Sequence, residues 1–132
     1  MGSSVSLLLD TATLIWALGT PERLTDAARA ALDDDAEELW VSAASAWEIT
    51  TKHRLGRLDH VRPLIDDWDT QLDRFGLRPL EISHRHALRA GSYDLAHSDP
   101  FDRMIAAQAD VEEMTLVSSD RAFRLFPVIL LW

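Results

Sequence analysis

The sequence predicts an α/β fold with a central, mainly parallel sheet and helices on both faces of that sheet. Short aliphatic runs at 5–9, 39–41 and 115–117 alternate along the chain with longer segments of helical periodicity. Strands that are apolar throughout are typical of parallel sheets, because helices cover both faces of such a sheet. A length of 132 residues fits a single domain over residues 1–132.

Local signals place each element in turn. Predicted strands cover residues 5–9, 39–41, 77–82, 115–117 and 127–131. Predicted helices cover residues 11–18, 24–32, 42–55, 62–75, 83–90 and 100–110, followed by a short helical turn over 121–125. Gly19, Gly56 and Gly76 end helices. Pro79 predicts an edge position for the strand at 77–82, because proline lacks the backbone N–H that a central strand donates.

Composition narrows the class of protein. The formal net charge of −9 argues against nucleic-acid binding through a broad basic surface, but it suits an enzyme that concentrates carboxylates around cations. The absence of cysteine excludes disulfides and cysteine-based zinc sites and favours a cytoplasmic location. The apolar runs are too short to span a membrane, and no signal peptide is expected.

Acidic residues recur where predicted strands end or helices begin. Asp10 directly follows the first strand, Glu48 lies in the helix after the second, and Asp120 follows the strand at 115–117. Asp99 and Asp102 open the helix around residue 100. Because sites in parallel sheets form beyond the carboxyl ends of the strands, we expect these acids to gather at one edge.

Each acid also has a structural interpretation. Asp10, Asp99 and Asp120 are placed to cap helices, and Asp102 would occupy the third helical position, where an acid favours the helix dipole. Glu48 lies four residues before a lysine, a favourable spacing for an ion pair. Apolar neighbours surround several of these acids, however, and an unpaired carboxylate there is costly. Mg²⁺ or Mn²⁺ would relieve the repulsion and activate water for attack on a phosphate.

The acids lie in four stretches: Leu7-Leu8-Leu9-Asp10-Thr11, Ser45-Ala46-Trp47-Glu48-Ile49, residues 97–109, and Leu116-Val117-Ser118-Ser119-Asp120. In order and spacing they resemble the motifs of the PIN-domain ribonucleases, and within them the VapC-type toxins. The third stretch is the most specific. The resemblance covers nearly the whole chain and implies the three-layer sandwich of the PIN fold.

The resemblance also implies residue roles. Asp10, Glu48 and Asp102 would coordinate the metal, directly or through water, and Asp120 would complete the quartet. Asp99 is either a helix cap or a further acid near the metal.

Further polar residues are additional candidates. Thr11 and Ser118 would line the site. Arg103 would either pair with a site carboxylate or bind phosphate, and His97 would either contact the substrate or be structural.

The implied activity is Mg²⁺- or Mn²⁺-dependent endoribonuclease chemistry, in which metal-activated water cleaves RNA to leave 5′-phosphate and 3′-hydroxyl ends. The implied partners are an RNA substrate, a cognate antitoxin that offers a basic side chain to the acids, and a second copy in a homodimer, with no membrane. The protein would be the toxin of a toxin–antitoxin pair that inhibits translation or growth.

Three other functions compete with this interpretation. One is a non-catalytic PIN-like module that binds RNA or a partner. Another is a phosphotransfer enzyme with a strand-end aspartate, which Ala12 disfavours because one such class needs an acid at that position. The third is a nuclease acting on structured or DNA substrates, as in the related flap-type nucleases, which usually carry extra acids and long insertions that this sequence lacks. The tryptophans at 16, 40, 47 and 68 lie among apolar residues and are expected in the core rather than as stacking surfaces.

Overall fold

The computed structural model describes residues 5–132 and has a parallel five-stranded sheet with the strand order β3-β2-β1-β4-β5. The strands are β1 (Ser6–Leu9), β2 (Glu38–Ser42), β3 (Leu77–Leu80), β4 (Thr115–Val117) and β5 (Leu130–Leu131). Each neighbouring pair is parallel. Residues 1–4 lie outside the described part of the chain, so the predictions of a single domain over residues 1–132 and of no signal peptide stay predictions.

Seven α-helices connect these strands within residues 5–132. They are α1 (Thr11–Gly19), α2 (Asp26–Asp33), α3 (Ala43–Arg54), α4 (Arg62–Asp66), α5 (Trp68–Arg74), α6 (His84–Ser92) and α7 (Pro100–Val111). Short 3-10 helices cover Pro21–Arg23 and Arg121–Leu125. In this described part of the chain, no helix is long and apolar enough to cross a membrane.

Both faces of the sheet are buried, as the apolar strands predict. Leu8 and Leu116 pack on one face against Ile105 of α7. The next residue along β1, Leu9, points to the other face, where it packs in a cluster with Leu14 of α1. The alternation follows from the two-residue period of a strand and confirms the predicted three-layer α/β architecture.

Two predicted boundaries are wrong. The segment 62–75 is not one helix, because Asp67 leaves the helical region with φ −137° and ψ 44° and separates α4 from α5. Aspartate is a weak helix former since its side chain competes for backbone hydrogen bonds. The last strand is only Leu130–Leu131, after a proline that donates no hydrogen bond. The edge position predicted for β3 is confirmed.

The strand register sets the site. Leu9 of β1 lies opposite Val41 of β2 and Val117 of β4, so these three strands end level with one another. The order in which strands join the sheet also reverses between β1 and β4. The strands β2 and β3 lie on one side of β1, and β4 and β5 lie on the other. Ligands of open parallel sheets bind at such a switch point, beyond the carboxyl ends of the strands.

Candidate active site

Asp10 leaves β1 at the switch point and caps α1. Its Oδ1 accepts a hydrogen bond from the backbone N–H of Thr13 at 2.9 Å. Its Oδ2 accepts one from the hydroxyl of Ser118, at the end of β4, at 2.5 Å. Burial raises the pKa of the Asp10 carboxyl, and the nearby charge of Glu48 raises that pKa further. Asp10 is therefore both the predicted helix cap and a carboxylate held in a setting that resists ionisation unless a cation is near.

Glu48 reaches the same region from α3 and is buried. Its Oε1 accepts a hydrogen bond from the hydroxyl of Thr11 at 2.5 Å, and Thr11 in turn lies 2.9 Å from the hydroxyl of Ser45. Its Oε2 pairs with the ammonium of Lys52, one helical turn later. The predicted ion pair is confirmed, although the carboxylate lies inside the site rather than on the surface.

Asp102 and Asp99 lie at the first turn of α7. Asp99 Oδ1 accepts hydrogen bonds from the backbone N–H groups of Phe101 at 2.9 Å and Asp102 at 3.2 Å, so it is the predicted helix cap. Asp102 Oδ2 lies 2.8 Å from His97 Nε2. Burial, followed by the charges of Asp99 and Glu48, raises the pKa of Asp102 to about 6 from its ordinary 3.8. Asp99 is thus a cap whose charge also acts on the neighbouring acids.

Asp120 is less closely engaged than the other predicted acids. It is exposed, and its Oδ1 caps the 3-10 helix by accepting a hydrogen bond from the N–H of Ala122 at 2.9 Å. Its own N–H donates to Ser118 Oγ at 3.0 Å, so one hydroxyl connects Asp10 with the Asp120 backbone. The charge of Glu48 acts on both Asp10 and Asp102, and that of Asp99 acts on Asp102, whereas the Asp120 side chain is exposed.

The Arg103 guanidinium contacts backbone rather than a site acid. It donates to the carbonyls of Ala90 at 3.0 Å, His97 at 2.7 Å and Tyr93 at 2.6 Å. Neither predicted role is seen, because the planar fork of the guanidinium is already directed at these oxygens. Arg103 instead fastens the loop that presents His97 to Asp102.

Replacing Arg103 by lysine should destabilise this loop. A lysine cannot span three carbonyls, and a partly buried acceptor left without a donor costs about 1–3 kcal/mol. We expect a fall of about that size in the free energy of unfolding, measured by urea denaturation. The exposed Arg124→Lys is the matched control, and an equal effect in both variants would contradict the role of Arg103.

The donor chemistry of the site fits a hard divalent cation. Within residues 5–132, no three His, Asp or Glu side chains are close enough together to hold a metal ion as they stand. Mg²⁺ does not need such a cage, because it keeps several waters and binds through one or two carboxylates together with substrate phosphates. The Lys52 ammonium already stands as a cation among these acids: its bond to Glu48, and then the charges of Glu48, Asp99 and Asp102, raise the pKa of Lys52.

An aromatic pair lies on the two helices that carry Glu48 and Asp102. Trp47 is 60% exposed, and its ring centroid lies 4.7 Å from that of Phe101 in an edge-on arrangement. The pair flanks an apolar cavity of about 220 Å³ that is also lined by Ile82 and Met104. The expectation that Trp47 is a core residue is therefore wrong.

Sequence reasoning assigned no site role to Ser45 and left His97 open; it considered Lys52 as an ion-pair partner of Glu48 and as part of a basic stretch, either a solvated helix end or a surface for RNA or an antitoxin. Helical spacing could have indicated that Ser45 and Lys52 belong to the site. Ser45 lies three residues before Glu48, and Lys52 lies four residues after it, so all three share one face of α3. The contact between His97 and Asp102 depends on the path of the loop before α7, for which the sequence carries no periodic signal.

Comparisons with known proteins agree with this architecture. The family model described as PIN domain matches residues 7–128. Ribonuclease VapC16 of Mycobacterium tuberculosis is 38% identical over 58 residues, which is 44% of this chain and 41% of that protein. The match thus spans less than half of that relative.

Two solved structures are similar in fold. The VapBC2 structure from Rickettsia felis, bound to a DNA fragment from its promoter, gives a TM-score of 0.65 at 18% identity over 96% of this chain and 97% of that chain. The VapBC-1 structure from nontypeable Haemophilus influenzae gives a TM-score of 0.67 at 15% identity over 96% of each chain.

Proposed function

This chain belongs to the PIN-domain family, as its motifs predicted, and from that premise we propose that it is a Mg²⁺- or Mn²⁺-dependent endoribonuclease. The observation that carries the proposal is the convergence of Asp10, Glu48 and Asp102 from separate elements onto one edge of the sheet. Burial and mutual repulsion raise the pKa of two of them, Asp10 and Asp102. Perturbed carboxylates in such a position are typical of catalytic sites.

In this proposal Asp10, Glu48 and Asp102 hold the metal, directly or through water, and Asp120 at the rim completes the set. When bound there, the metal supplies activation of a water molecule and neutralisation of charge on the phosphodiester. The proposed products of RNA hydrolysis carry 5′-phosphate and 3′-hydroxyl ends.

The surrounding side chains orient these carboxylates. Ser118 fixes Asp10, Thr11 fixes Glu48, and His97 fixes Asp102, each by a hydrogen bond to a carboxylate oxygen. Hydrogen bonds of this kind limit the rotation of metal-binding carboxylates, and their loss commonly weakens metal binding. Because these partners lie at the ends of β1, β4 and the loop before α7, the rigid sheet sets the geometry in advance.

Trp47 and Phe101 favour a single-stranded substrate. Proteins recognise unpaired RNA by stacking aromatic side chains on its bases. The exposed Trp47 ring is next in sequence to Glu48, and Phe101 is next to Asp102, so a base beside the scissile phosphate would meet this pair. The net charge of −9 makes a contribution from stacking more important, since broad electrostatic attraction to RNA is absent.

Trp47→Ala should weaken RNA binding and leave metal binding unchanged. Loss of one base–aromatic stack costs about 1–3 kcal/mol, so the dissociation constant for a short single-stranded RNA should rise roughly tenfold. Fluorescence anisotropy in an Asp10→Asn background measures binding without cleavage. Phe75→Ala removes a ring at the opposite edge of the sheet and should have no effect; unchanged binding by Trp47→Ala would rule out the stack.

We also propose that the protein is the toxin of a toxin–antitoxin pair. Support comes from the partial match to a VapC ribonuclease and from the fold shared with VapBC structures. An acidic site in an acidic chain would attract a basic side chain of the antitoxin, placed among the carboxylates in the way that Lys52 is. A homodimer, a cytoplasmic location and inhibition of growth remain predictions that follow from this role.

One experiment separates the nuclease from a non-catalytic module. The purified chain, freed of any antitoxin, is incubated with total RNA and Mg²⁺ or Mn²⁺, with EDTA in a parallel sample. Cleavage that needs the metal and leaves 5′-phosphate ends supports the proposal. RNA binding without cleavage at any metal concentration would favour the binding module.

A further inference from the structure

The ammonium of Lys52 lies where the site acids converge. It pairs directly with Glu48 Oε2, and the Glu48 side chain is only 7% exposed whereas that of Lys52 is 42% exposed. The charges of Asp99 and Asp102 also act on Lys52. The partly exposed lysine therefore extends into the acidic cluster, where its ammonium contacts the buried carboxylate of Glu48.

The acids need this cation when no metal is present. A buried carboxylate without a partner is strongly unfavourable, and here two further acids add repulsion. Within residues 5–132, Lys52 is the one lysine or arginine that forms an ion pair with Asp10, Glu48, Asp99 or Asp102. Its position four residues after Glu48 on α3 makes the pair available without any rearrangement.

The same position conflicts with a divalent ion on Glu48. An ammonium bonded to Oε2 occupies that oxygen and repels a second cation a few ångströms away. The lysine can leave, because its flexible side chain is partly exposed and its ammonium regains water on the way out. A phosphate of the substrate would offer the displaced ammonium a new anionic partner beside the same acids.

We infer that Lys52 is a built-in counter-ion that a divalent metal must displace from Glu48, and that the displaced ammonium then binds a phosphate of the RNA. This inference rests on the proposed function, and it adds that metal and RNA binding reinforce each other. RNA that draws Lys52 away frees Glu48 for the metal, and by thermodynamic reciprocity the metal promotes RNA binding to the same degree. The free protein consequently holds its metal weakly.

The test is calorimetric titration of the RNA-free protein with Mn²⁺, which does not depend on cleavage. Lys52→Met keeps the length and the apolar stem but removes the charge, and its affinity for Mn²⁺ should rise about tenfold, the scale of effect that residues around metal ligands exert. Lys52→Arg should stay as weak as the unmodified chain. Arg57→Met changes the net charge equally at an exposed residue beyond the end of α3 and is the matched control.

Thermal unfolding gives a second readout. Without metal, Lys52→Met should melt below the unmodified chain, because Glu48 loses its partner, and Mn²⁺ should raise its melting temperature by more. With a short RNA analogue that cannot be hydrolysed, RNA should strengthen Mn²⁺ binding only when Lys52 is present.

Three results would overturn the inference: unchanged or weaker Mn²⁺ binding in Lys52→Met, an equal gain in Arg57→Met, or RNA coupling that survives the loss of Lys52. Stronger Mn²⁺ binding by Lys52→Met in a protein that cleaves no RNA would instead support the counter-ion and count against the proposed nuclease. No Mn²⁺ binding by any variant would overturn both.

Discussion

Asp10→Asn should abolish most metal-dependent RNA cleavage while leaving the fold intact. Asn keeps the Oδ1 that caps α1, because asparagine and aspartate are equally good N-caps, so the hydrogen bond from the Thr13 N–H persists. What disappears is the negative charge at the centre of the switch point. Removing one preorganised electrostatic stabiliser of a transition state typically lowers kcat about 10²- to 10³-fold, and we expect a loss of that order.

The stability of this variant makes the result interpretable. Because burial raises the pKa of Asp10, the ionised carboxylate opposes folding of the metal-free protein, and its neutral replacement should melt at the same temperature or higher. Asp73→Asn, at an exposed position on α5, is the matched control and should cleave normally. Cleavage that persists in Asp10→Asn would point to a contaminating nuclease or to a site elsewhere.

Metal binding should depend steeply on pH because of Asp102. Its pKa is about 6 in the metal-free protein, against an ordinary 3.8, so at lower pH a proton occupies the carboxylate that the metal needs. The apparent affinity for Mn²⁺ should therefore fall by up to about tenfold per pH unit below that value and level off above it. The raised pKa of Asp10 acts in the same direction. Titrations between about pH 5 and pH 8 measure the effect, and Asp102→Asn should flatten it.

The raised pKa of Asp102 has the opposite effect on folding: metal binding improves as the pH rises, whereas the stability of the metal-free protein falls. The folded chain holds the Asp102 proton more tightly than the unfolded chain does, so ionisation of this group reduces stability as the pH rises from about 4 to about 6. Above that window the penalty is complete, and a bound cation relieves it. Stabilisation by Mn²⁺ should thus be greatest above about pH 6. A melting temperature that responds to Mn²⁺ equally across this range would contradict the assignment.

Capping and strand-end signals predicted much of the site because they are local. Asp10 and Asp99 carry the helix-capping preferences that the sequence shows, and the structure confirms both caps. The approach of Ser118 to Asp10 also followed from the sequence, because a parallel sheet brings the carboxyl ends of β1 and β4 to the same edge. For these residues, local chemistry and topology point to one answer.

Partners supplied by tertiary contacts could not be predicted in the same way. The spacing between Glu48 and Lys52 gave the ion pair, yet an exposed and a buried pair look identical in sequence. For Arg103 the sequence left pairing with a site carboxylate and binding of phosphate both open, but the fold brings the carbonyls of Ala90, Tyr93 and His97 to its guanidinium. Trp47 sits among apolar residues in the sequence, yet it is 60% exposed and meets the Phe101 ring edge-on.

The bond between Ser118 and Asp10 joins residues 108 positions apart in the chain. The strand β4, which completes the functional edge of β1, follows it in the chain only after all seven α-helices of residues 5–132. Contacts so distant in sequence form only when the chain between them has been placed, and they are absent from any fragment that lacks either strand. Cutting the chain anywhere between β1 and β4 and separating the pieces would therefore take apart the edge on which the site is built, even where every helix in each piece remained folded.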